Sequence, residues 1–238
     1  MSEELAALLA NGSDMSDTGF IETFLAKSPA MAAASASVAE GAARVVIDIN
    51  VVHLTDRRAG TRARAAKALG ALAHNNAENQ VIIASAGGIE RLVELMRRGS
   101  SESPEVKAVA YALGTLARRN ADNQAAILRA GGIELLVGLA RNRESMRADV
   151  AFALVALCER NADIQVAVGR AGGIEVMLAL ESRSRDRFAI DAARVVLNDL
   201  AQSPENQATT WFSDFERALA IQPVATLTAT GPSLACLN

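Results

Sequence analysis

Aromatic side chains are scarce in this 238-residue chain, which has one Trp, one Tyr and six Phe. A core with so few rings must be filled by Ala, Leu, Val and Ile, the side chains that let helices pack closely, so an all-helical protein is expected. Cysteines are equally few. Cys158 and Cys236 cannot build a disulfide framework, and with His53 and His74 as the only histidines there is no metal-ligand spacing. A reducing compartment fits best. No apolar run approaches the ~20 residues that span a bilayer, and MSEELAALLANGSD at the N-terminus has glutamates where an export signal needs positive charge. The expected location is cytoplasmic, with nuclear residence also open. Neither GxGxxG nor GxxxxGK[ST] occurs, and no GxSxG elbow is present. Carboxylates are plentiful, but no motif pairs them. No catalytic residue, cofactor or metal is nominated, and enzymatic activity is not expected. A net charge of −3 and a pI near 5.5 lack the footprint of a generic nucleic-acid or membrane binder.

What the chain does have is repetition. AGGIE occurs at Ala86 to Glu90, Ala130 to Glu134 and Ala171 to Glu175, at intervals of 44 and 41 residues, a spacing that marks a repeat architecture. Each run follows a polar joint and a short apolar segment (NNAENQVIIAS, RNADNQAAILR, RNADIQVAVGR) and precedes an amphipathic stretch, a linker and an Ala-rich stretch. The unit reads as short helix, Gly-Gly turn, medium helix, loop, long helix. Ser103-Pro104-Glu105 and Ser203-Pro204-Glu205 read as serine N-caps with Pro at N1, and Asn75 with Glu78 has capping-box spacing. The second glycines, Gly88, Gly132 and Gly173, are expected to need φ > 0. Val106, Val109, Ala110, Leu113, Leu116 and Ala117 form a core-facing stripe, and Leu113, Leu154 and Leu197 occupy equivalent core positions.

A unit of about 42 residues with N-x-x-N-Q before its first helix, A-G-G-I at the first turn and A-L-x-x-L-A in the third helix resembles the armadillo repeat. The resemblance implies a right-handed α-solenoid of three-helix repeats over residues 28–222: a degenerate first unit to about 75, regular units at about 76–119, 120–160 and 161–202, and a partial cap over 203–222. In that cap Asp214-Phe215 replaces the glycine pair, and Trp211, Phe215 and Leu219 form the apolar face. Residues 1–27 read as an N-terminal arm with short helices at 3–10 and 20–27. From Pro223 the chain reads as a tail containing Cys236.

The resemblance also implies that the third helices line a concave groove that binds extended or helical protein segments. Its lining and flank are read as Arg64, Lys67, Ala71, Lys107, Tyr111, Thr115, Arg118, Phe152, Ala156, Glu159, Asp191 and Asp199. Carriers of basic nuclear-localisation peptides place Trp, and Asn four residues later, on successive third helices. Here the Trp-like positions hold Lys67, Tyr111, Phe152 and Val195, and the Asn-like ones Ala71, Thr115, Ala156 and Asp199. The backbone-gripping ladder is missing, and Lys67 would repel a basic ligand. Arg57, Arg58, Arg62, Arg64 and Lys67 form the strongest basic run, without interleaved aromatic residues for base stacking. The reading is a non-catalytic scaffold or adaptor, monomeric, whose protein partner carries acidic residues. A structural subunit of a larger assembly, an importin-α-like carrier and a cryptic enzyme are the alternatives.

Overall fold

The computed structural model describes residues 29–99 and 103–207. The N-terminal arm, the cap residues Trp211, Phe215 and Leu219, and the tail with Cys236 lie outside the described residues. Every regular element described is helical. In chain order the helices are α1 (Pro29–His53), α2 (Ala59–Ala73), α3 (Ala77–Ser85), α4 (Gly88–Arg98), α5 (Pro104–Ala117), α6 (Ala121–Arg129), α7 (Gly132–Asn142), α8 (Arg147–Cys158), α9 (Ala162–Arg170), α10 (Gly173–Arg183), α11 (Arg187–Ala201) and α12 (Pro204–Gln207), with a 3-10 turn at Glu144–Met146 before α8. Contacts divide the chain into residues 1–49 and 50–238, and the repeats lie in the second unit.

The three-part unit appears three times: α3-α4-α5, α6-α7-α8 and α9-α10-α11. Where the first unit is degenerate, α1 runs unbroken for 25 residues, because no glycine pair interrupts it. Within the second unit the third helices are consecutive neighbours, α2 against α5, α5 against α8 and α8 against α11. Two glycines permit the close approach. A Cβ on Gly70 would lie 3.1 Å from Ala112 Cα, and one on Gly114 would lie 3.0 Å from Ala153 Cα. The stripe from Val106 to Ala117 is buried as expected, as are Leu113, Leu154 and Leu197. Ala112 and Thr115 are buried as well, because α5 has a neighbour on each side. The three AGGIE isoleucines, Ile89, Ile133 and Ile174, are fully enclosed.

The glycine pairs require a correction. Positive φ falls on the first glycine of each pair, Gly87 (74°), Gly131 (76°) and Gly172 (79°). The second glycine is the first residue of the medium helix and is needed for a different reason. A Cβ on Gly88 would lie 2.6 Å from Ile83 Cγ2 and 2.8 Å from Ile83 O, and Gly132 is similarly crowded by Ile127. The turn thus uses one glycine for backbone conformation and the other for packing.

Two capping expectations change too. Asn76, not Asn75, caps α3, its side chain accepting from Asn79 N at 2.9 Å. Asn75 instead takes the left-handed conformation, φ 53°, as do Arg119 and Arg160 at the corresponding positions. Asn120 and Asn161 cap α6 and α9 in the same way. Ser103 makes no side-chain cap bond, so the start of α5 rests on Pro104.

The N-x-x-N-Q signature proves to be a buried polar ladder. Gln80 Nε2 donates to Thr115 O at 2.9 Å, and Gln80 Oε1 accepts from Asn120 Nδ2 at 3.1 Å. One repeat on, Gln124 Nε2 donates to Ala156 O and Oε1 accepts from Asn161 Nδ2, both at 3.0 Å. Asn79 and Asn123 donate to the carbonyls of Leu72 and Leu116. These bonds satisfy the carbonyls that every helix C-terminus leaves open. The pattern restarts at the end of the described chain, where Asn206 donates to Leu200 O and Gln165 O, both at 3.0 Å. A further first helix therefore begins at Pro204.

Candidate functional site: the outer face of the third helices

Successive third helices hold one equivalent side chain outward. Tyr111 on α5, Phe152 on α8 and Val195 on α11 are 45%, 40% and 39% exposed, against a surrounding core that is closed. Tyr111 is set by its neighbour helix, because a Cβ on Gly70 would come within 2.7 Å of the ring carbons Cδ1 and Cε1. On α2 the same position is Lys67, exposed together with Arg64 and Ala71.

The groove residues named from sequence fall into three classes by exposure. Lys67, Lys107, Tyr111 and Phe152 are exposed, and Arg118, Glu159, Asp191 and Asp199 are half-buried. Thr115 and Ala156 are buried. Thr115 Oγ1 donates to Ala112 O at 2.9 Å and to Tyr111 O at 3.2 Å, so its hydroxyl hydrogen is committed to its own helix. At the four backbone-gripping positions stand a methyl group, a buried hydroxyl, a buried methyl group and a carboxyl.

The charges are sorted along this face. Lys107 Nζ on α5 lies 3.7 Å from Asp149 Oδ2 on α8, a matched pair at the middle. On the α8 and α11 side, burial first and the neighbouring Glu159 second push the Asp199 carboxyl up to about 6. The basic run near α2 is thinner than its sequence suggests. Arg62 donates to both carboxylate oxygens of Glu105 at 3.1 Å, and to Asp56 O and Arg57 O, so it joins α2 to α5 instead of facing a partner.

Sequence reasoning missed the helix contacts at Gly70 and Gly114, the Gln80 and Gln124 ladder and the Lys107–Asp149 pair. The recurring N-Q dipeptide was the available signal for the ladder. For the two glycines it was the shared A-L-G of Ala68-Leu69-Gly70 and Ala112-Leu113-Gly114, whereas Lys107 and Asp149 come from successive repeats with no shared motif.

Two surface cavities lie elsewhere, of about 530 Å³ beside Leu128, Asp163, Arg170 and Glu205 and about 510 Å³ beside Leu54, Arg62, Glu94 and Glu105. Their charged groups include the matched pairs Arg170–Glu205 and Arg62–Glu105. Cys158 is fully enclosed, and burial raises its thiol pKa, so it is a core side chain and not a nucleophile. Among the described residues no His/Cys/Asp/Glu group could hold a metal ion, and no helix is long and apolar enough to cross a membrane.

No protein-family model and no curated protein matches the chain. Among solved structures, an engineered protein, Northeast Structural Genomics Consortium target OR329, matches with a TM-score of 0.67 and 28% identity, over 76% of this chain and 73% of that one. A designed armadillo repeat protein matches at 0.59 and 21%, over 65% and 64%. Another, solved in complex with the peptide (KR)4, matches at 0.65 and 19%, over 76% of each chain. Helices that repeat in threes and stack on their own counterparts make a helical-repeat solenoid. Within that class its fold is that of the designed armadillo repeat proteins it matches.

Proposed function

We propose that this chain is a non-catalytic scaffold or adaptor that binds a segment of another protein along the outer face of α2, α5, α8 and α11. The observation that carries the reading is the row of Tyr111, Phe152 and Val195, large apolar groups held partly exposed at one equivalent position of three successive helices. Such anchors flanked by charge are the parts that dominate binding at protein interfaces. The likeness to a designed armadillo protein in complex with a peptide supports the use of this fold for peptide capture. In this chain the cations Arg64, Lys67 and Arg118 favour acidic residues in the partner over α2 and α5. A monomer in the cytoplasm is the simplest setting.

Crosslinking mass spectrometry from native lysate, repeated with Tyr111→Ala/Phe152→Ala, tests this reading. The expected result is crosslinks from one stoichiometric partner to α2, α5, α8 and α11, lost in the double variant. Crosslinks confined to the first and second helices, indifferent to the variant, would overturn it.

A further inference from the structure

The face that binds a partner in the reading above carries opposite signs at its two ends, while elsewhere on the described surface several charges are paired within the chain. Arg97 and Arg98 share Glu94, Arg170 meets Glu205, and Arg194 meets Glu181. The charges at the two ends of the groove are not paired. Among the described residues no carboxylate lies within ion-pair distance of Arg64, Lys67 or Arg118, and no cation within that distance of Glu159, Asp191 or Asp199. The one ion pair at the centre, Lys107 with Asp149, falls where the sign changes from α5 to α8. Tyr111 and Phe152 occupy the same boundary.

Resting on that reading, we propose that the partner segment is bipolar: carboxylates over α2 and α5, an apolar side chain over Tyr111 and Phe152, and Lys or Arg over α8 and α11. Length follows from geometry. Helix axes pack ~8–10 Å apart, so the three steps from α2 to α11 span ~24–30 Å, about seven to nine residues of extended chain at ~3.3 Å each. A uniformly acidic segment of that length would place carboxylates against Glu159 and Asp199. A uniformly basic one would meet Lys67 and Arg118. Both juxtapositions are repulsive, and only a segment that changes sign midway avoids them.

The test is selection of a displayed library of random nine-residue peptides on the full chain, with each variant's fold checked by its helical melt. The native chain should enrich peptides with acids at one end, an apolar residue at the centre and bases at the other. Glu159→Gln/Asp199→Asn should remove the preference for bases, and Lys67→Glu/Arg118→Glu should yield bases at both ends. Enrichment of uniformly acidic peptides that depends on Tyr111 and Phe152 overturns the bipolar partner while leaving the docking face intact. Enrichment unchanged by Tyr111→Ala/Phe152→Ala, or none at all, overturns the docking face and this inference with it.

Discussion

At Asp199 a carboxyl is held half-buried beside Glu159, and its pKa rises to about 6 from an ordinary 3.8. The folded state therefore binds the proton more tightly than the unfolded chain does. Stability should rise as pH falls through about 6, with the gain complete below the unfolded value, and the ionised form should be a net liability at neutral pH. Asp199→Asn is expected to stabilise the protein at pH 7 by up to about 1 kcal/mol, discounted because water screens a half-exposed carboxylate. It should also flatten the stability profile between pH 4 and 6. Thermal melts across that range check both. The glycine pair offers a second residue-scale comparison. Gly87→Ala should cost about 1 kcal/mol from the left-handed backbone alone, since the nearest atom to its Cβ would be Glu90 Oε2 at 4.0 Å. Gly88→Ala should cost about 1–3 kcal/mol through overpacking. Adding Ile83→Ala should not restore stability, because it opens a cavity where a fully buried isoleucine stood and leaves the carbonyl of residue 83 at 2.8 Å from the new Cβ.

At the scale of the element, the third helix is packed on both sides, and its place in the stack decides what a cavity costs. Leu154 in α8 lies between α5 and α11, and truncation to Ala should cost ~2–5 kcal/mol by loosening both interfaces. Leu197→Ala, nearer the end of the described stack, is expected to cost less in a denaturant titration. Equal losses would contradict the nearest-neighbour picture. The same helices show what the sequence could and could not reveal. The AGGIE spacing, the apolar stripe of α5 and the equivalence of Leu113, Leu154 and Leu197 were legible because periodicity is a one-dimensional property. The N-cap at Asn76 was misplaced by one residue, since Asn75 also has an acid at capping-box spacing. Only the comparison with Arg119-Asn120 and Arg160-Asn161 separates the left-handed residue from the cap. The seating of Tyr111 over Gly70 and the pairing of Lys107 with Asp149 were illegible, because each depends on how one helix lies against its counterpart a repeat away.

For the molecule as a whole, a protein of net charge −3 that separates its unmatched groove charges should associate in a salt-dependent way. Raising salt from ~50 to ~500 mM shortens the Debye length severalfold and should slow association with the partner. Lys67→Glu/Arg118→Glu should do the same at low salt, while Tyr111→Ala should mainly speed dissociation. Surface-binding kinetics separate the two rates. The buried amide ladder has its own consequence for length. Gln80 bonds Asn120 as Gln124 bonds Asn161, so the side-chain bonds across these two joints link the same residue types. A second copy of residues 120–160 spliced in after Arg160 would offer its leading asparagine to Gln124 and its own glutamine to Asn161. The chain is in this sense written in concatenable modules. A spliced variant should fold with one more helical triplet and reach one helix spacing further along its target, a ruler whose gradations are set by side-chain amides.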